Sequence, residues 1–368
     1  MSNKEAFWGT PEEFFKNLSS GQSSKKKDYV FLMGNGFNRF LKDELPSSER
    51  PQLLAWEDLV IQVITDNPSL KSALAHERSM FLGNGITNTE KVRLMELELG
   101  FASEGDAGKR PVNINELFAK KIHRDYNITK KQWQTLEGKS DAFAGCLLKY
   151  ALGHHNHILT TNFDSNIEGY AQYVCNIPSK PLYVTCAERA HSGKDNAHPF
   201  YAWSKYSAFA KKRAIKPLEA NEGTDTAELP PGVWHIHGWA GTAKGANIMM
   251  SFQKYCSCIS RINDLGDNTR TDEWDGRNTW LNLFLKRPLI IAGLGLPQEE
   301  IFLRYLFLLK YKLDRRTGAS SLNNSYFLVY ENEKTPDGRE FLEALGVNIV
   351  RFNSYKDIYT HPLWKKAK

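Results

Sequence analysis

Short apolar runs, separated by longer helical or irregular stretches, are the main pattern along this chain. The runs that predict strands are Tyr29–Met33, His157–Thr161, Val233–Ile236, Asn247–Ser251, Leu289–Ala292, Tyr326–Tyr330 and Val347–Phe352. Such runs are typical of strands that are buried on both faces of a parallel sheet. Helical patterns follow several of them, near 164, 298–313 and 339–345. This alternation predicts the α/β class, with a Rossmann-like, doubly wound and mostly parallel sheet.

Two long segments interrupt the alternation and define the expected domain organisation. Residues from about 40 to 153 are mostly helical by period, which predicts a large helical insertion. Residues from about 174 to 232 have no strong period and contain Gly- and Pro-rich stretches, which predicts a loop-rich insertion. Residues 1–27 are expected to form a lead-in segment. A single Rossmann-like domain would then span 28–368.

The helical insertion carries apolar faces that must be covered. Apolar residues recur at helical spacing at Leu53, Leu54, Trp56, Leu59, Val60, Val63 and Ile64. A long helix is expected from about Lys131 to Leu152, with Gly153 as its C-cap. Burial within one chain would cover these faces, and so would an interface between copies. A homo-oligomer built through this region is therefore one expectation.

Composition restricts the classes of function only mildly. The chain has 368 residues, 41% hydrophobic and 24% charged, and a formal net charge of +6. The basic clusters at 25–27 and 365–368 indicate solvated ends rather than a nucleic-acid surface. No apolar run is long enough to cross a bilayer, and the first residues lack the pattern of a secretory signal. Five cysteines without a framework spacing fit a reducing compartment, so a cytoplasmic location is expected.

Glycine-rich loops follow two of the predicted strands, Tyr29–Met33 and Leu289–Ala292. Met33-Gly34-Asn35-Gly36-Phe37-Asn38 follows the first strand, and Ile291-Ala292-Gly293-Leu294-Gly295 ends a later one. Glycines at such places allow tight turns and a close approach of the backbone to a pyrophosphate. Arg39 stands where the usual dinucleotide fingerprint has its third glycine, so an ordinary strand-to-helix turn remains the alternative.

Polar residues follow two further strands, and the carboxyl ends of parallel strands meet at one edge. In Thr160-Thr161-Asn162-Phe163-Asp164, Asn162 is a candidate for holding a ribose hydroxyl or a water molecule. Asp164 is a candidate for contact with the ribose or for capping the next helix. In His235-Ile236-His237-Gly238, His237 lies at the strand end, where a base could reach a ribose hydroxyl. His235 is expected to be a satisfied core histidine.

The four loops, in this order, resemble the sirtuin superfamily. Residues 33–38 and 293–301 resemble the bacterial sirtuin-like branch found in antiphage defence, whose members hydrolyse NAD+. The resemblance implies NAD+ as the substrate, Asn162 and His237 as catalytic residues, and abortive infection through NAD+ depletion. It implies that the dinucleotide is held by Gly34, Asn35, Gly36, Phe37, Asn38, Thr161, Asp164, Gly293 and Gly295. It also makes a partner ATPase or another defence protein plausible.

The sequence departs from the protein-deacylating sirtuins at their zinc site. Those enzymes carry two Cys-x-x-Cys pairs, whereas Cys256-Ser257-Cys258 is the only close pair here. Neither a bound metal nor deacylation is therefore expected.

Two rival functions remain open at this stage. The histidines His154, His155, His157, His235 and His237, with Asp164, could bind a metal in a metal-dependent hydrolase. Alternatively, the chain could be a non-catalytic sensor of NAD or ADP-ribose within an oligomeric assembly. Activity after chelation would contradict the first, and turnover of NAD+ would contradict the second.

Overall fold

The structure of the protein is a computed structural model. It describes residues 8–20, 29–51, 56–73, 86–104, 113–137, 146–153, 156–175, 182–184, 203–205, 232–240, 248–266, 280–298, 300–330 and 338–365. Of the residues named above, Leu53, Leu54, His154, His155 and Asn247 lie outside these ranges.

One sheet organises the described part of the chain. Its strands are β1 Trp8–Gly9, β2 Val30–Met33, β3 His157–Thr160, β4 Leu182–Val184, β5 Trp203–Lys205, β6 Gly232–His235, β7 Leu289–Ala292, β8 Tyr326–Tyr330 and β9 Asn348–Phe352. Their spatial order is β1-β9-β8-β7-β2-β3-β6-β5-β4. In this spatial order, every neighbouring pair from β1 at one edge through to β6 is parallel. The last two strands are antiparallel: β5 pairs with β6, and β4 pairs with β5. The predicted fold class is confirmed.

Helices cover both faces of this sheet. They are α1 Pro11–Ser20, α2 Gly36–Glu44, α3 Trp56–Asp66, α4 Pro68–Ala73, α5 Asn88–Glu104, α6 Ile114–Asp125, α7 Lys130–Glu137, α8 Cys146–Gly153, α9 Asn166–Tyr173, α10 Phe252–Gly266, α11 Trp280–Lys286, α12 Ile301–Thr317, α13 Arg339–Ala344 and α14 Tyr355–Thr360. Short 3-10 helices lie at Ser47–Glu49 and Pro362–Lys365. Within the described ranges, no helix is both long and apolar enough to cross a membrane.

Successive residues of each central strand belong to different cores, because side chains alternate across a strand. Phe31 and Met33 pack with helices such as α2, α9 and α14 on one face, whereas Val30 and Leu32 pack with α10–α13 on the other. All four are buried. This double burial explains why the strands are apolar throughout.

A third core joins the helical insertion to the carboxyl edge of the sheet. Residues of α3, α5 and α6, including Val60 and Phe118, pack there with Ile248 and Met250. Val60 is buried within the single chain. Its burial accounts for this part of the apolar face without a second copy.

Several sequence-based predictions need correction. Residues 8–20 of the lead-in are part of the fold, because Trp8–Gly9 pairs with β9 and Phe14 is buried in a core. The predicted strand Asn247–Ser251 is wrong for residues 248–251, which form no ladder. Ile248 and Met250 are apolar because they enter the third core, while the Met249 amide donates to the His237 carbonyl.

The described parts of the two insertions add detail to their predicted internal structure. The insertion 174–232 contains the short strands β4 and β5, which extend the sheet. Both ends of the helix predicted from Lys131 to Leu152 are helical, as α7 and α8. Residues 138–145, between them, lie outside the described ranges.

Candidate functional site

A cavity of about 420 Å³ lies at the carboxyl edge of the sheet. The loops after β2, β3, β6 and β7 all contribute to its walls. From the central β2 the chain continues outward to β3 and β6, and then returns to β7 on the other side of β2. The cavity therefore lies at the topological switch point, where ligands bind in open α/β sheets.

Most residues expected at the site do line this cavity. They are Asn35, Gly36, Thr161, Asn162, Asp164, His237, Gly293 and Gly295. Gly34, Phe37 and Asn38 do not. Phe37 is wholly buried in a hydrophobic core, against Tyr170 and Tyr359. It turns inward because the loop enters α2 at Gly36, and the apolar side of that helix faces the sheet.

Three of the glycines hold two loops together. The Gly36 amide donates to the Gly293 carbonyl at 2.8 Å. A Cβ on Gly34 would lie 2.5 Å from that same carbonyl oxygen, and a Cβ on Gly36 would meet Tyr355 Oη. Gly293 itself has a φ of +62°, which L residues other than glycine rarely adopt. The structure therefore gives these glycines a packing role. A Cβ on Gly295, in contrast, would make only an ordinary contact, with Pro297 Cδ at 4.0 Å.

Asn38 and Asp164 belong to a buried polar network below the cavity. Asn38 Nδ2 donates to Asp164 Oδ2 at 2.7 Å, and the Asn166 amide donates to Asp164 Oδ1 at 3.0 Å. Asn166 Nδ2 in turn donates to Asn38 Oδ1 and to the Tyr126 carbonyl. Burial raises the pKa of the Asp164 carboxyl, against the opposing effect of these donors. Asp164 thus ties α2 to the start of α9, although the N-cap residue of that helix is Ser165.

Two hydrogen bonds hold Asn162 at the carboxyl end of β3. Its Nδ2 donates to the Gly34 carbonyl at 3.2 Å, and its amide donates to Thr160 Oγ1 at 3.1 Å. The side chain is 6% exposed and lines the cavity. These contacts place its amide group between the first loop and the cavity.

His235 supports this loop from behind and is not a ligand group. Its Nδ1 lies 2.8 Å from the Asn162 carbonyl, and its Nε2 lies 2.6 Å from Glu168 Oε1. Burial opposes protonation, but the Glu168 carboxylate, the Asn162 carbonyl and the Asp164 carboxylate together outweigh it and raise the pKa of His235. A carbonyl and a carboxylate both accept, so both ring nitrogens carry protons and the ring is cationic.

His237 differs from His235 in its contacts and in the direction of its pKa shift. It lies in the turn that ends β6, where Gly238 adopts a φ of 88°. It is 4% exposed and lines the cavity. Among the described residues, its Nε2 has no hydrogen-bond partner. Burial lowers the pKa of His237 to about 3, so the ring is neutral at physiological pH and can accept a proton.

Sequence reasoning missed several residues of the cavity. Glu300 and Tyr255 line it near His237, and Leu59, Ile122 and Tyr126 contribute a wall from the helical insertion. The one sequence feature that could have indicated Glu300 is its position directly before the helix α12. The cavity residues on α3 and α6 could not be identified from the sequence, because an amphipathic pattern does not show which core the helix packs against.

The metal-site hypothesis finds no support within the described ranges, where no group of three or more His, Cys, Asp or Glu side chains could hold an ion. His157 instead accepts a hydrogen bond from Trp234 Nε1 at 3.2 Å. Cys256 and Cys258 lie two apart on α10, and neighbours at that spacing point to different sides of a helix.

Comparison with known proteins gives no family for this chain. No protein-family model matches it, and no curated protein is significantly similar to it.

Proposed function

We propose that this protein is an NAD+ glycohydrolase, which cleaves the bond between nicotinamide and ribose. The observation that carries the proposal is the pairing of Asn162 with a buried, neutral His237 in one cavity at the switch point of the sheet. An amide that can orient water and a base that can take its proton are the two groups this hydrolysis needs. The order of the four loops, which resembles the sirtuin superfamily, supports the same assignment.

The chemistry balances with one water molecule. The C1′–N bond breaks, and its electron pair leaves with nicotinamide, which becomes neutral. Water oxygen bonds to C1′, its proton passes to His237, and ADP-ribose is released. Asn162 orients the water or a ribose hydroxyl.

The cavity also suits a dinucleotide in size and in charge. Its volume lies in the usual range for small-molecule sites. The helices α2, α9 and α12 all begin at this edge of the sheet, and helix N-termini favour anions such as phosphates. Arg39, in the first turn of α2, is exposed and lines the cavity. With the phosphates bound there, the nicotinamide ribose would lie near Asn162 and His237.

The test is incubation of the purified protein with NAD+, followed by chromatography for nicotinamide and ADP-ribose. His237→Ala and Asn162→Ala should each lower turnover by about 100-fold or more, with dinucleotide binding retained within a few-fold. His123→Ala is the matched control, because His123 is exposed and does not line the cavity. Tight binding without any product would favour the sensor hypothesis. Activity lost equally in the control would contradict the assignment.

The resemblance extends the proposal to the cell. There, activity of this kind would deplete NAD+ during phage infection and stop growth before new phage are released. A partner ATPase, another defence protein or a homo-oligomer would supply the trigger. NAD+ levels measured after infection, with wild-type protein and with His237→Ala, test this extension.

A further inference from the structure

The surroundings of His237 pose a problem for its role as a base. Its ring lies among the rings of Tyr255, Phe302 and Phe163, with centroid distances of 5.6, 5.9 and 6.3 Å. Such a site disfavours the imidazolium that forms when the base takes a proton. A base of this kind needs a nearby negative charge that stabilises its protonated form.

A carboxylate stands in the required place. Glu300 Oε1 lies 3.6 Å from His237 Nε2, and Tyr255 Oη donates to Glu300 Oε2 at 3.5 Å. Burial raises the pKa of Tyr255 well above its usual value, with the Glu300 carboxylate adding to the effect, so the phenol keeps its proton. Glu300 and Tyr255 are the titratable side chains that the described residues place against His237.

The side chain of Glu300 is directed away from the helix that it begins. It is the N-cap residue of α12, yet its side chain makes no capping hydrogen bond to that helix. The carboxylate instead lines the cavity and lies toward His237, whose buried Nε2 has no hydrogen-bond partner among the described residues. Hydrogen bonds between catalytic groups are often long before a ligand binds and tighten in the complex.

We propose that Glu300 is the positioning residue of His237 and that Tyr255 fixes Glu300 in turn. Glu300 holds the His237 proton on Nε2, which leaves Nδ1 to accept the proton from water. It then stabilises the imidazolium without taking a proton itself. This inference rests on the proposed hydrolase function for its kinetic consequence, but the pairing of the two side chains does not depend on it.

The pairing is tested without substrate by nitrogen-15 NMR of histidine-labelled protein, with the His237 signals assigned from His237→Ala. The wild type should carry the proton on Nε2. Glu300→Gln should keep this tautomer, because its side chain still offers an acceptor, whereas Glu300→Leu should lose it. The same tautomer in wild type and Glu300→Leu would overturn the pairing. A protein that unfolds in Glu300→Leu would show in the remaining histidine signals, and Glu300→Ala is then the second variant.

The kinetic role is tested with Glu300→Gln and Tyr255→Phe. Glu300→Gln should lower kcat at least tenfold with KM changed less than about threefold, and Tyr255→Phe should have a smaller effect in the same direction. The acid limb of the pH profile should move to lower pH by about one unit, because removal of a nearby anion lowers the pKa of a histidine. Glu340→Gln is the control, since Glu340 is exposed on α13.

The outcomes separate the two proposals. An unchanged kcat and pH profile in Glu300→Gln would overturn the kinetic role. If the wild-type protein released no nicotinamide at all, the hydrolase proposal would fail, and the NMR comparison would still decide whether Glu300 sets the tautomer of His237.

Discussion

Gly36 and Gly293 are in direct backbone contact across the centre of the sheet. The amide of Gly36 donates to the carbonyl of Gly293 at 2.8 Å, and a Cβ on Gly36 would lie 2.5 Å from the Gly293 Cα. The loop after the first central strand and the loop after β7 are therefore one structural unit. The cavity is built around this contact, so its shape depends on the absence of two side chains.

Gly293→Ala should destabilise the protein by about 2–5 kcal/mol, through backbone strain and through overpacking. The control is Gly318→Ala, because Gly318 has a similar φ of +71° but nothing near the position of a Cβ. That variant should lose only the strain, about 1–2 kcal/mol. Denaturant unfolding of both variants measures the difference. Equal losses would show that the contact with Gly36 and Tyr359 is not tightly packed.

The buried pair of His235 and Glu168 should make stability depend on pH. The folded-state pKa of His235 is raised, so its contribution is complete below the unfolded value near 6.5 and is lost as pH rises through the folded value. Glu168→Gln should cost about 3–5 kcal/mol at pH 6, because it leaves a buried charge without its partner. The cost should shrink at alkaline pH. Urea unfolding at pH 6 and pH 9 checks this, and an equal cost at both would contradict a cationic His235.

Lys310→Met should destabilise the sheet face that carries α11 and α12. Lys310 is fully buried, and its Nζ donates to the carbonyls of Phe284, Leu285 and Arg287 at the end of α11. Burial lowers the pKa of this amine to about 7. The variant leaves those carbonyls unsatisfied, at a cost of about 2–4 kcal/mol. Thermal unfolding measures the loss, and Lys312→Met, at an exposed position of the same helix, should be near neutral.

Arg39→Gln should weaken dinucleotide binding without altering the chemical step. An exposed guanidinium beside helix N-termini is suited to phosphate, and removal of one such contact costs about tenfold in affinity. KM for NAD+ should rise by that factor and become less sensitive to salt, with kcat unchanged. Lys42→Gln, on the same helix but outside the cavity lining, is the control. An unchanged KM would place the phosphates elsewhere.

The framework of the sheet could be predicted because its strands are buried on both faces. Leu289–Ala292 and Tyr326–Tyr330 have the expected bounds, since an apolar run that ends in polar or glycine residues marks both ends of such a strand. The meeting of the four loops also followed, because parallel strands share one carboxyl edge.

The direction of individual side chains within those loops could not be predicted. Phe37 and Asn38 turn toward the interior, although Asn35 and Gly36 beside them line the cavity. Tyr255 and Glu300 meet only through the packing of α10 against α12, and no local pattern encodes that contact. Residues 248–251 were mistaken for a strand because the consecutive apolar residues Ile248, Met249 and Met250 are buried in two cores without pairing in the sheet.

The central position of β2 also has a consequence for synthesis of the chain. One edge of β2 pairs with β7, whose residues are about 260 positions further along the chain. At the usual rate of translation, roughly 13–50 seconds pass between the appearance of the two strands at the ribosome. During that interval the nascent chain holds an apolar strand with an open edge, which is the feature that recruits other chains into aggregates. Chaperone occupancy on ribosomes should therefore rise after β2 emerges and fall only when β7 has been made.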